Sequence, residues 1–377
     1  MYRWPLLVLV ALLVLACQAP PTAREGGGRG GTAGDAAPAA APAAPVPAAA
    51  PSAAPAPPAS LETVRVGTVG SAGDANFTWA QERGYLREEG LDLETQVFNG
   101  AQVMIPPLGA DQLDVGGGGP GPGLFNAILR GVNVRIVADR SRAVPNVRNQ
   151  CVAVRKPLLD SGAIHSFADF RGRVFSENVP AVLTTSIIDR ELKKAGVSLQ
   201  QDVTSVTLSF PDMLPAFAND AIDFSVLIDP YIVLAQQQGV ADCWKYTYEL
   251  EPNFQIAVLI YGPAFAEQHP DAARGFMVAY LRAIRDYQRA FFGDGANRAE
   301  FLDLIGRTAG ITDKGLLERI GPSWADPNGA VNVESLRETQ RWYVARGDQT
   351  GEVDFDRVVD SSFADYAVSR LGREATP

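Results

Sequence analysis

Val64-Arg65-Val66-Gly67-Thr68-Val69, then residues 76–83 closed by Gly84, then Leu91-Asp92-Leu93-Glu94-Thr95-Gln96-Val97-Phe98: these three pieces decide the fold. The first alternates with a period of two, as a half-buried strand does. The second opens on Asn76, a residue type that caps helices with its side-chain oxygen, and stops at a glycine. The third is again a strand. Strand, helix and strand in so short a span predict a crossover unit, in which the two strands lie parallel and the helix covers one face.

The same grammar continues on either side. Asp111-Gln112-Leu113-Asp114-Val115 runs into Gly116-Gly117-Gly118-Gly119-Pro120-Gly121-Pro122-Gly123, followed by a helix over 124–129 ending at Gly131 and a strand over 134–138. A second block repeats the pattern with strands over 151–154 and 173–176. Its helix spans 180–195, with Asn178 near the cap and Gly196 as the stop, and it closes with a strand over 203–208, a helix over 212–219 and a strand over 223–228. From Pro263 onward the pattern is mainly helical. The fold class expected is α/β with two lobes, each a mainly parallel sheet flanked by helices, and a helical C-terminal region.

The first sixty residues read differently. One positive charge, an apolar run over residues 4–15 and Val14-Leu15-Ala16-Cys17 make residues 1–16 a lipoprotein signal peptide, with Cys17 as the lipidated residue. The apolar run is shorter than the ~20 residues that span a bilayer. Residues 17–60 are Gly-rich and then almost entirely Ala and Pro, with too few large apolar side chains to offset ordering entropy, so they form a disordered tether. Residues 61–148 with 259–377 form the first lobe and residues 149–258 the second.

Charge and composition exclude several classes. With 33 basic and 43 acidic residues the formal charge is −10, which removes the basic footprint of a nucleic-acid binder, and only two histidines are present. The glycine run lacks a following Lys-Ser/Thr, and no Gly-x-Ser-x-Gly, Cys-x-x-Cys or His-Glu-x-x-His occurs. No cofactor, metal or catalytic residue is expected.

Several pieces together resemble a known family. Residues 64–67, Ala80-Gln81-Glu82-Arg83-Gly84-Tyr85-Leu86-Arg87-Glu88-Glu89-Gly90-Leu91, Phe98-Asn99-Gly100-Ala101, the Asp114-Val115-Gly116 run, Phe167-Ala168-Asp169-Phe170-Arg171-Gly172-Arg173-Val174 and Asp223-Phe224-Ser225-Val226-Leu227-Ile228-Asp229-Pro230 occur in order. This set resembles the nitrate/sulfonate/taurine and thiamine-precursor binding proteins of ABC importers, the SsuA-like and NMT1/THI5-like group. The resemblance implies a type II periplasmic binding protein whose lobes close on a small molecule, with chain crossings near 138–149 and 253–262. It also implies an ABC permease and its ATPase as partners. The expected molecule is an exported monomer, anchored by lipid at the cell membrane and lying in a periplasm or on an outer face.

Ligands in open α/β sheets lie beyond the carboxyl ends of the strands, where loops and helix N-termini offer N–H groups. The corresponding loops supply Ser71, Asp74, Asn76 and Phe77, then Asn99, then Gly117, Gly118 and Pro120, then Glu177 and Asn178, then Asp212, and last Asp229 and Tyr231. Phe77 is the stacking candidate and Trp79 a core residue. The glycines serve either a tight turn or close approach of a ligand. Asp74, Glu177, Asp212 and Asp229 surround these loops, whereas Arg140 and Arg142 fall between the lobes. That balance favours a cationic, amine-bearing or neutral heterocyclic ligand, a pyrimidine for example, over nitrate or a sulfonate, with another substrate of the nitrate/sulfonate/taurine family as the alternative. With Cys17 lipidated, Cys151 and Cys243 remain as a candidate disulfide in an oxidising compartment, the alternative being two small buried hydrophobes.

Three functions fit these features: a solute-binding lipoprotein delivering to an importer, an enzyme on the same fold such as a pyrimidine-synthase relative or a chorismate-derived lyase, and a ligand-sensing surface receptor. Export, the long tether and scarce histidine favour the first, a binding protein without enzyme activity.

Overall fold

The computed structural model describes residues 60–376. The signal peptide, Cys17 and the spacer up to residue 59 lie outside the described residues. No described helix is long and apolar enough to cross a membrane.

Among the described residues, ten strands form two five-stranded sheets. The first contains β1 (Glu62–Thr68), β2 (Leu91–Val97), β3 (Val115–Gly118), β4 (Arg135–Ala143) and β10 (Phe254–Tyr261) in the order β2-β1-β3-β10-β4. The second contains β5 (Gln150–Arg155), β6 (Val174–Glu177), β7 (Thr204–Thr207), β8 (Phe224–Ile228) and β9 (Ala241–Tyr246) in the order β7-β6-β8-β5-β9. In each sheet one strand runs against the other four: β10 is antiparallel to β3 and β4, and β5 to β8 and β9. Mainly parallel sheets with helices on both faces are therefore the architecture, each carrying one strand inserted in reverse.

That reversed strand corrects the expected division of the chain. Every residue of β10 is buried in the first sheet, so the boundary at 258 falls inside a strand. Its sequence, Phe-Gln-Ile-Ala-Val-Leu-Ile-Tyr, is a nearly continuous apolar run, which suits a central strand covered on both faces. The chain passes between sheets over 144–149 and again over 251–253.

Local readings hold in most places and fail where side chains found other partners. Asn76 is not a cap: a short 3-10 turn, Ala72–Asp74, precedes the helix Ala75–Glu82, and Asn76 donates to Gly73 O at 3.0 Å. The helix expected over 180–195 spans Leu183–Lys194, and Asn178 instead donates to Asn99 O at 2.6 Å. A helix at Ala101–Gly109 was not expected because it contains Pro106 and Pro107; burial of Ala101, Met104, Ile105 and Leu108 overrides their cost.

The first sheet packs on the helix Pro270–Phe292, which buries Phe276, Tyr280 and Tyr287. Phe77 lies in this core, stacked 5.5 Å from Tyr280, so it is not a ligand-stacking residue. Trp79 stacks 3.7 Å from Phe301 and donates its indole N–H to Asp286. In the second sheet a disulfide between Cys151 and Cys243, Cα atoms 5.7 Å apart, joins β5 to the edge strand β9.

Candidate functional site

The strand ends of both sheets converge on one cavity of about 70 Å³. That is several times the roughly 10–15 Å³ one water requires. Of the sequence candidates, Ser71, Gly118, Asn178 and Asp229 line it.

The first-lobe wall is built around a buried ion pair. Arg140, on β4, lies against Asp74, with both side chains less than a tenth exposed. Asp74 also accepts the Ser71 N–H at 2.6 Å, and Arg140 donates to Ser71 Oγ at 3.3 Å. Arg140 lines the cavity, its Nε has no hydrogen-bond partner among the described residues, and burial lowers its pKa. Glycine is needed beside it: a Cβ on Gly117 would stand 2.6 Å from Arg140 Nε. Gly117 and Gly118 belong to β3 and have no positive φ, so neither serves a tight turn. At Gly117 the missing side chain makes room for the guanidinium. On Gly118 a Cβ would meet Val69 at 3.0 Å and the Ala101 backbone nitrogen at 3.2 Å.

The second-lobe wall is mostly neutral. Leu183 and Thr184, which line the cavity, open the helix Leu183–Lys194, so their N–H groups have no acceptor within that helix. Asp229 is buried and its pKa is pushed up to about 8; desolvation is the main cause, opposed by N–H groups from Gly321 and Val233. Asn149 and Gln150 come from the crossing segment and the start of β5, and the Gln150 side-chain oxygen accepts from Thr247 Oγ1 at 3.0 Å.

The remaining candidates stand back from the cavity. Asn99 contributes its carbonyl to Asn178, and Pro120 accepts from the Tyr343 hydroxyl at 3.3 Å. Glu177 accepts from Ala181 N and Thr185 Oγ1, with a pKa raised by burial. Asp212 is exposed on the first turn of Phe210–Ala218 and accepts from Ser209. Tyr231 lines a separate, mainly apolar cavity of about 190 Å³ between Val97, Leu234 and Ile305, where burial raises its pKa.

The four acids read as a negative surround therefore do not act together. One is neutralised by Arg140, one stabilises a helix start, one faces solvent, and one is held by backbone N–H groups. Sequence reasoning placed Arg140 between the lobes and missed its side chain as a cavity wall. Ser323 was invisible to it: this cavity residue lies 182 positions from Ser141, whose hydroxyl it meets at 2.9 Å.

Comparisons with known proteins fit this geometry. A family model described as NMT1/THI5 like matches residues 73–289. A Brucella abortus (strain 2308) protein named "Putative binding protein" is 29% identical over 232 residues, covering 60% of this chain and 67% of the relative. The alkanesulfonate-binding protein SsuA of Xanthomonas axonopodis pv. citri, bound to MOPS, superposes with a TM-score of 0.64 at 18% identity, over 81% of this chain and 99% of that one. The periplasmic nitrate-binding protein NrtA of Synechocystis PCC 6803 gives 0.66 at 15% identity, over 83% and 89%. The desulfurization enzyme DSZB shares the fold too, at 0.58 and 17% identity over 82% and 99%, so the architecture serves both binding and catalysis. With two lobes, a cavity where their strand ends meet and a family match across more than half its length, the chain belongs to the NMT1/THI5-like family.

Proposed function

We propose that this protein is an exported solute-binding lipoprotein that captures one small molecule between its lobes and hands it to an ABC permease and its ATPase. The observation that carries the reading is the cavity at the strand ends of both sheets, lined by polar groups from each. Cys17 would hold the lipid and residues 17–60 would let a monomeric body reach the permease from the membrane surface; the signal-like opening and the Ala/Pro composition support this.

The wall chemistry narrows the ligand. Arg140 and the helix start at Leu183 favour a molecule that presents an acceptor atom. Asp74 already balances Arg140, which favours a neutral or weakly charged molecule over a bare anion. A thermal-shift panel on the full chain, covering sulfonates, nitrate, pyrimidines, flavins and small amines, tests both points. A ligand at ~100 times its dissociation constant adds ~2.7 kcal/mol to native stability. A shift confined to one neutral class supports the reading, and a shift with nitrate alone overturns the ligand assignment. Turnover of a panel compound would move the assignment to an enzyme.

A further inference from the structure

Asp229 lines the cavity, yet all its polar backbone and carboxylate groups are already engaged with the protein. Its N–H donates to Asn149 O at 3.0 Å, in the segment that crosses between sheets. Its carbonyl accepts the N–H of Ala72, in the first-lobe turn beside Arg140, also at 3.0 Å. One carboxylate oxygen accepts the N–H of Gly321 at 2.7 Å and the other that of Val233 at 3.4 Å. Gly321 is itself pressed onto the crossing segment, since a Cβ there would stand 2.5 Å from Arg148 O. One buried residue at the end of β8 thus ties the second sheet to the first lobe, to the crossing segment and to the C-terminal region.

We infer that Asp229 is a positioning residue, a latch that holds the lobes closed through the Ala72 and Gly321 N–H groups rather than a contact for the captured molecule. This rests on the capture reading above, because a latch matters only if the lobes part. Its consequence is that the chain supplies part of the closing free energy itself. The ligand then needs to supply only the difference between the open and closed states.

The test is hydrogen exchange, followed by mass spectrometry, on the full ligand-free chain. Ala72→Pro deletes one N–H donor at the first position of a short helical turn, where proline fits, and Ser71 before it already has the extended backbone that proline requires, with φ −89° and ψ 158°. Asp229→Ala removes the carboxylate, and Asp229→Asn restores one acceptor. With a latch, peptides carrying residues 71–74, 182–185 and 320–324 exchange at least tenfold faster in Ala72→Pro and Asp229→Ala, with Asp229→Asn in between. Peptides from β1 and β5 stay at the wild-type rate. Wild-type exchange around the cavity in both variants overturns the latch. Loss of protection in β1 and β5 as well assigns Asp229 a purely structural role and also overturns it. If no panel compound slows exchange in the wild type, capture fails while the latch result stands on its own.

Discussion

The two walls of the cavity solve the problem of burying polar groups in opposite ways. The first-lobe wall puts full charges side by side, Arg140 against Asp74, with a glycine strand cleared to admit the guanidinium. The second-lobe wall uses a helix end and amide side chains, and its carboxylate, Asp229, is held by the N–H of Val233 on the next helix and by that of Gly321, 92 positions away. Contacts within the first lobe organise one wall, and contacts gathered from three regions organise the other. The first wall should therefore be intact whether the lobes are open or closed, and the second should depend on closure.

The largest test of that contrast is Asp74→Ala. Leaving Arg140 buried without its partner should cost about 3–5 kcal/mol, seen as a lowered urea midpoint. Next comes the Cys151–Cys243 bridge. Its reduction, or Cys243→Ser, should cost about 2–4 kcal/mol, and proteolysis under reducing conditions should begin in β9 rather than in the first sheet. Gly117→Ala sharpens the first wall: the new methyl displaces Arg140, at about 1–3 kcal/mol, and ligand affinity falls with it.

Acidity probes the second wall through Asp229 and the interior of β4 through Asp139, which lies outside the cavity lining and accepts from Gln255 Nε2 at 2.6 Å. Burial raises the Asp139 carboxyl to about 6 and that of Asp229 to about 8, so between the ordinary carboxylate value and these points the folded state binds more protons than the unfolded one. Stability contributed by these two groups is present at low pH and is lost as pH rises, for each group by at most about 1.4 kcal/mol per pH unit inside its window. Urea unfolding at pH 5 and pH 8 measures this, and Asp229→Asn should flatten the slope between 6 and 8. The smallest effect expected is at Asp212. Replacing this exposed side chain with alanine should change stability by under ~0.5 kcal/mol and leave binding unchanged.

Strand alternation and glycine stops made the crossover units legible, because each depends on neighbours within a few positions. β1, β2 and the helix between them follow from period and punctuation alone. β10 was missed since its apolar run lacks alternation, and the helix at Ala101–Gly109 because local propensity argues against its prolines. At the site, loops at strand ends were found by rule, and Ser71, Gly118, Asn178 and Asp229 came with them. Arg140 was visible as a charge but not as a wall, since its role depends on packing beside Gly117. Asp74 and Arg140 stand 66 positions apart, and nothing local in either sequence signals the pairing.

The position of β10 also sets an order in time. Among the described residues β4, which carries Arg140, has β10 as its only neighbouring strand in the sheet, and β10 follows the whole of the second sheet in sequence. As a chain emerges from its N-terminus, β1, β2 and β3 can pair at once, and residues 150–246 can complete the second sheet before the first is finished. Through that interval β4 has no strand to pair with, and Arg140 has no fixed seat beside Asp74. The cavity should thus be among the last parts of the molecule to form, since a chain cut short before residue 254 carries every strand of the second sheet but lacks β10 and the lining residues Ile256, Ala257 and Ser323.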